Sequence, residues 1–175
     1  MENSRKSLRD WSIWKADALC VLCYIRRRDD VLLIRKKRGF GAGKISGPGG
    51  KLEPGETSLD AAIRETQEEL GVTPHHLQHL GELHFQFADG FALQCAVFLA
   101  AGCLGEPVET EEAAPLWTHV DALPLDAMWA DDRHWLPGLL EGKCFRAYFE
   151  FDGDRMLSRQ VEWKSEENAK ILTKQ

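Results

Sequence analysis

The chain has 175 residues, with 28 acidic against 22 basic side chains, a formal net charge of −6 and 43% hydrophobic residues. That length suits one domain of ordinary size, and the apolar share supplies enough burial to offset chain entropy, which excludes an intrinsically disordered chain. The acidic excess excludes a protein that coats polymeric nucleic acid or an anionic membrane by bulk attraction, since that work calls for a basic surface.

Met1 to Lys15 is polar and charged, and the apolar run 18–25 is too short to span a bilayer and leads into Arg26, Arg27 and Arg28. Neither stretch reads as an export signal, so a cytoplasmic protein is expected. Residues 18–25 and 31–35 read as short strands joined by the charged turn Arg28-Asp29-Asp30. The five cysteines are odd in number and sit in apolar context, so no disulfide framework is expected. Cys20 and Cys23 form a CxxC, but no second pair completes four ligands, and on a strand the two point to opposite faces. They read as buried structural cysteines.

The clearest helix is Ser58–Leu70. Thr57 or Ser58 can cap its start, Gly71 suits a left-handed C-terminal residue, and Leu59, Ala62, Ile63, Thr66 and Leu70 fall on one side at 3.6-residue spacing. Two hairpins follow: 82–87 with 91–101 around Asp89-Gly90, and 144–151 with Arg155–Trp163 around Asp152-Gly153. His75 and His79 lie at i, i+4 without an HExxH pattern and read as surface histidines. A second helix is predicted over 132–141, weakened by Pro137 and Gly138, and the last dozen residues, rich in Lys and Glu, are expected to fray. Strands mixed with two helices predict an α/β or α+β domain, and the short hairpin links make much of the sheet antiparallel.

The polar side of the helix breaks two local rules. Glu65, Glu68 and Glu69 bring three like charges together at i, i+3 and i+4, and they do so near the C-terminal end, where the helix dipole disfavours negative charge. Clustered carboxylates are what a hard cation such as Mg²⁺ requires. Just upstream, Ser46-Gly47-Pro48-Gly49-Gly50-Lys51 is a glycine-rich loop whose backbone can approach a ligand closely, and it leads to Glu56. Loop and carboxylates together point to a metal–phosphate site.

From Gly50 the chain has five residues, Glu56, seven residues, then Arg64-Glu65-Thr66-Gln67-Glu68-Glu69-Leu70-Gly71-Val72. This resembles the Nudix box at every fixed position, with Thr66 where the family usually places a larger aliphatic residue. The resemblance implies a Nudix-type α/β/α sandwich with a mixed, largely antiparallel sheet and two main helices, formed as one domain over 1–175 with its core at about 18–163. It implies hydrolysis of a nucleoside diphosphate linked to another group. The family's box glutamates hold Mg²⁺ or Mn²⁺, here Glu65, Glu68 and Glu69, with the Gly49 carbonyl as a further ligand. Arg64 resembles the arginine that orients a box glutamate, Glu56 belongs to the catalytic set, and Glu112 looks like a distal glutamate that serves as ligand or base. Which carboxylate takes the proton varies between members; Glu65 is preferred here.

Outside the box the chain is similar, from about Ala18 to Trp163, to the branch that hydrolyses oxidised purine nucleoside triphosphates, the 8-oxo-dGTP diphosphatase (MutT-like) branch. Lys36-Lys37-Arg38-Gly39-Phe40-Gly41-Ala42-Gly43-Lys44 resembles its loop before the box. Met128-Trp129-Ala130-Asp131-Asp132 resembles its base-recognition segment, in which the tryptophan stacks on the purine and the aspartates meet its edge. An indole face does suit base stacking, and of two adjacent buried carboxylates one can keep a proton and offer donor and acceptor together. The competing reading makes Asp131 or Asp132 a helix cap and Trp129 core. Ser46 stands where the most similar enzymes have an asparagine, and Ile45 where they have a tryptophan; a hydroxyl has fewer hydrogen-bonding sites than an amide, so base selectivity is open.

Lys36 is the first choice for phosphate contact within the basic run, and Phe85, with Phe87, for the base pocket wall. The leading reading is a Mg²⁺-dependent diphosphatase that acts on a small nucleotide, without membrane or polymeric nucleic-acid partners, as a monomer, with a dimer left open. A Nudix hydrolase of another nucleotide, such as ADP-ribose or a dinucleoside polyphosphate, is the second. A non-catalytic nucleotide-sensing module is the third, and the intact glutamate set weighs against it. The charge is unevenly spread: residues 1–51 carry 13 basic and 5 acidic side chains, residues 52–69 one basic and six acidic. A basic N-terminal third therefore meets an acidic helix at the glycine loop.

Overall fold

The structure, a computed structural model, describes residues 7–165. Nine strands form one mixed sheet: β1 (Ala18–Arg27), β2 (Asp30–Lys36), β3 (Ile45–Ser46), β4 (Gly49–Lys51), β5 (Thr73–Phe87), β6 (Ala92–Leu104), β7 (Ala113–His119), β8 (Phe145–Asp152) and β9 (Arg155–Trp163). The main order is β3-β2-β1-β6-β5-β8-β9, with β4 also paired to β1 and β7 to β2. Only β1–β6 and β5–β8 are parallel among these pairs. The helices are α1 (Ser58–Leu70) and α2 (Asp132–Leu140).

Strand alternation separates two cores. Val21, Cys23 and Ile25 of β1, with Leu32 and Ile34 of β2, face Ala61, Ala62 and Leu70 of α1. The intervening Tyr24, Val31 and Leu33 belong to the opposite core with Trp135, Leu136, Leu139 and Leu140 of α2. Each helix thus buries its apolar stripe against one sheet face, which makes the α/β/α sandwich.

Several expectations need correction. Ala62, Thr66 and Leu70 of the apolar side read for α1 are buried, together with Ala61 and Glu69, whereas Ile63 is only partly buried and Leu59 is 45% exposed. Strand β5 begins at Thr73, well before the hairpin segment predicted at 82–87; its polar, histidine-rich first half is held by pairing to β6 and not by apolar alternation. Within it His79 stacks on Phe98 and contacts the Gly81 carbonyl, so it is not a free surface histidine. Strand β7 was not anticipated, because Pro115 interrupts its pattern; it pairs only with β2, and an edge strand tolerates proline. Cys20 and Cys95 stand in register on β1 and β6, Cα atoms 4.5 Å apart, and form a disulfide, so the expectation of free thiols holds only for Cys23, Cys103 and Cys144. The fraying expected of the last dozen residues lies outside the described residues beyond 165.

Thr66, the departure from the box pattern, is fully buried, and its Oγ1 donates to the Ala62 carbonyl at 2.7 Å. That carbonyl already serves the helix ladder, so the bond adds little. Thr66→Val is expected to shift unfolding by less than about 1.5 kcal/mol in urea, since one side-chain hydrogen bond contributes about that much at most, and to leave turnover within about twofold; a large activity loss would move Thr66 from packing to chemistry.

Candidate active site

Thr57 caps α1, its Oγ1 accepting from the Asp60 amide at 3.1 Å, and Gly71 closes it at φ 70°. Between these caps, Arg64 gathers the acidic residues. Its Nε and Nη2 donate to the two oxygens of Glu56 at 2.7 and 2.9 Å, and its Nη1 donates to Glu65 Oε1 at 2.9 Å and Glu68 Oε2 at 3.2 Å. Nη2 also reaches the Lys51 carbonyl at 3.1 Å, which ties the glycine loop to the helix. The bidentate guanidinium holds the Glu56 carboxyl down to about pKa 2. For Glu65 burial outweighs Arg64 and the carboxyl is pushed up. Gly50 lies against it so closely that a Cβ there would fall 2.3 Å from Glu65 Oε1.

Glu68 is half exposed, whereas Glu69 is 3% exposed and turns into the protein. Its Oε2 is buried without a hydrogen-bond partner. Burial pushes the Glu69 carboxyl up to about 8, although the Lys36 charge and the Gly49 amide oppose that shift. The three helix glutamates, at i, i+3 and i+4, therefore differ in burial: Glu68 is open to solvent, while Glu69 turns into the protein. Among the described residues no three acidic, histidine or cysteine side chains stand close enough to form a ready metal cage. Arg64 engages Glu56, Glu65 and Glu68, and Arg38 holds Glu112 at 2.7 Å. The residues nonetheless suit a hard cation: all the candidate donors are oxygens, and the unpartnered Glu69 Oε2 is an atom that a cation would satisfy.

Beside the acids opens a cavity of about 340 Å³. Lys36, Phe40, Ser46, Gly49, Phe85, Trp129, Asp131 and Asp132, all singled out from sequence, line it together; Glu56, Glu65, Glu68, Glu69 and Glu112 do not. The cavity joins two environments. Gly49, Gly50 and Lys36 border the acidic end, and Phe85, Phe87, Phe91, Phe151 and Trp129 wall the other, with Lys51 Nζ 5.7 Å from the Phe91 ring. Trp129 stacks on Phe40 with centroids 5.2 Å apart, and Lys44 Nζ lies 4.7 Å from its ring. Phe91, Phe151 and Lys51 were missed from sequence. The parallel register that sets Phe85 beside Phe149 and Phe87 beside Phe151 is a long-range pairing, and only the shared Phe-x-Phe spacing in two strands hinted at it.

Asp131 and Asp132 are almost wholly buried. Asp131 stands at the N-cap position of α2, but its side chain makes no cap bond; instead its Oδ2 accepts from Trp135 Nε1 at 2.9 Å. Asp132 Oδ2 accepts from the Trp129 amide at 3.1 Å. Burial pushes Asp131 up to about 6, and burial together with the Asp131 charge pushes Asp132 well above the carboxylate range. At neutral pH the pair therefore holds a proton.

This predicts a pH-dependent stability. Both folded values lie above the unfolded value of roughly 4, so the folded chain keeps protons that the unfolded chain releases. The contribution is full below about pH 4 and is lost as pH rises through the folded values. Asp132→Asn keeps an acceptor for the Trp129 amide without the charge. It is expected to raise the melting temperature at pH 8 by roughly 2–4 °C per kcal/mol regained and to flatten the decline from pH 4 to 8 in calorimetry; a pH profile superimposable on that of the unmodified chain would refute the shared proton.

Comparison with known proteins places this geometry. The NUDIX domain model matches residues 16–139. The chain is 41% identical over 150 residues to the oxidized purine nucleoside triphosphate hydrolase of Danio rerio, covering 85% of this chain and 94% of that one. It is also 41% identical to the Mus musculus protein of the same name, over 80% of this chain and 91% of that one. Among solved structures, the MutT protein of Bacillus halodurans superimposes with a TM-score of 0.72 at 27% identity, covering 83% of this chain and 97% of that one. Since the matched segment contains Gly50, Glu56 and the Arg64-centred acids in the arrangement just described, the chain belongs to the NUDIX domain family of hydrolases.

Proposed function

We propose that this protein hydrolyses oxidised purine nucleoside triphosphates to the monophosphate and pyrophosphate, a reaction that clears damaged precursors from the nucleotide pool. The observation that carries the reading is the cavity that joins an end bordered by Gly49, Gly50 and Lys36 to an aromatic end that holds the buried pair Asp131 and Asp132. The names of the relatives with 41% identity support it.

The aromatic end takes the base. Trp129 offers a stacking face, which a base gains either on the open side or by displacing Phe40. Asp131 and Asp132 meet the purine edge with one donor and several acceptors, a pattern an ionised pair lacks. Lys36 and Lys51 meet phosphate oxygens with charge. The divalent ion, Mg²⁺ with Mn²⁺ as substitute, would be held by Glu65, Glu68 and Glu69 with the Gly49 carbonyl and Glu112; when bound it neutralises phosphate charge and lowers the pKa of a coordinated water. Glu65 is the proposed base: Arg64 engages only its Oε1, and burial raises its affinity for a proton. Arg64 also keeps Glu56 ionised and the loop docked, so it positions the acids.

Glu69→Gln preserves shape and is expected to lower kcat/KM by about a thousandfold or more, as loss of several kcal/mol of transition-state stabilisation requires, with no fall in melting temperature. Activity within about tenfold of the unmodified enzyme would remove Glu69 from the metal set. Trp129→Ala is expected to raise KM for the best substrate about tenfold, in line with about 1–3 kcal/mol per stacked base. The substrate itself is tested by pyrophosphate release from oxidised and ordinary purine deoxynucleoside triphosphates, alongside ADP-ribose and dinucleoside polyphosphates. A higher kcat/KM for ADP-ribose than for every triphosphate would overturn the proposal.

A further inference from the structure

The segment before β1 packs on the two strands that carry the aromatic end of the cavity. Trp11 lies on Tyr148 of β8 with centroids 5.1 Å apart, Trp14 meets His84 of β5 edge-on at 5.4 Å, and Arg9 pairs with Glu150 of β8 at 3.1 Å. Trp14 also makes a polar contact. Its Nε1 donates to Gln86 Oε1 at 2.9 Å, and Gln86 Nε2 donates to the Phe87 carbonyl at 3.1 Å and the Phe91 carbonyl at 3.2 Å. Three residues on, the Asp17 amide donates to the Ala92 carbonyl and Asp17 Oδ2 accepts from the Ala92 amide, both at 2.8 Å. The polar contacts of Trp14 and Asp17 thus converge on residues 86–92, whose Phe87 and Phe91 wall the cavity. Neither Trp14 nor Gln86 lines it, so any influence they have on a ligand passes through those two phenylalanines.

We propose that Trp14 and Gln86 are positioning residues for base binding: the indole orients the amide, and the amide holds the Phe87–Phe91 hairpin against the cavity. This rests on the purine triphosphate reading above, which puts the base at the aromatic end. The donor inventory fixes the amide. An indole N–H can only donate and a backbone carbonyl can only accept, so Gln86 satisfies all three partners in one orientation and none of them when flipped. The hairpin needs such a tie, because the β5–β6 pairing ends at Gln86 and Ala92 and Phe91 stands one residue outside β6. A wall held in place before the ligand arrives spares the cost of ordering it on binding. The acids are held separately, by Arg64, so loosening the hairpin weakens the hold on the base and leaves the chemistry in place. An interaction of that kind is read in KM and not in kcat.

The test is therefore KM against kcat for the preferred purine deoxynucleoside triphosphate. Trp14→Phe keeps a ring against His84 and removes the N–H, and Gln86→Leu keeps the bulk and removes the amide. Trp14→Phe is expected to raise KM about fivefold and Gln86→Leu about tenfold, in line with the loss of one and of several hydrogen bonds, with kcat within about twofold of the unmodified enzyme. KM does not depend on the fraction of folded enzyme, so partial unfolding of a variant does not disturb it, and Trp14→Phe decides alone if Gln86→Leu does not fold. The Trp14→Phe/Gln86→Leu pair should match Gln86→Leu, because Trp14 acts through the amide. A merely structural segment would lower the melting temperature and the apparent kcat at constant KM. An unchanged KM in Trp14→Phe, or KM increases that multiply in the double variant, would each overturn the role of the pair. Absence of turnover of every purine triphosphate by the unmodified enzyme would instead overturn the function on which it rests.

Discussion

The Arg64 guanidinium is the interaction on which the site is built. Three glutamates on one stretch of helix, with Glu56 arriving from the loop, would repel one another in isolation. A planar cation with a fixed fork of donors can serve several carboxylates at once, and here it serves Glu56, Glu65 and Glu68. The same group bonds the Lys51 carbonyl, so it also fastens the strand that pairs Gly49 and Gly50 with Leu22 and Val21 of β1. With that strand fixed, the Gly49 amide faces Glu69 and the Gly50 backbone lies against Glu65. One ion-pair hub therefore sets the acids, the loop and the near wall of the cavity relative to one another.

The far wall has a different origin. It is made by sheet register, through the parallel pairing of β5 with β8 that gathers four phenylalanines. Asp131 and Asp132, on the same cavity, are almost wholly buried, and burial raises the proton affinity of both. Trp135, which donates to Asp131 and stacks on Phe145, links the pair to the core beneath α2.

What could be read in the sequence was what is encoded locally. Thr57 and Gly71 bounded α1 to the residue, because caps have short-range chemistry, and the box spacing named the acids. The inward turn of Glu69 was invisible to periodicity, which counts glutamate as polar and assigns it to solvent. Residues 73–81 and Ala113–His119 carry no alternation, since their strands are held by backbone pairing at positions whose side chains are only partly buried. The Cys20–Cys95 link and the Phe91 and Phe151 wall both depend on which strands become neighbours, a fact that no short window contains.

The same distinction resolves the charge balance. A net −6 on the whole chain disfavours anions at long range, yet most of the basic run 36–44 never faces the cavity. Lys37 pairs with Glu109, Arg38 with Glu111 and Glu112, and Lys44 with Asp154. Lys36 is left on the cavity wall, close enough to Glu69 to oppose its protonation, and Lys51 joins it from the glycine loop. Screening over about 8 Å at physiological ionic strength makes this local arrangement decisive for a small ligand, while a polymer would meet the acidic average. The acidic surplus and the nucleotide-sized cavity are therefore compatible: the surplus repels long polyanions, and Lys36 beside a buried carboxylate, with Lys51 on the same cavity, suits a short one.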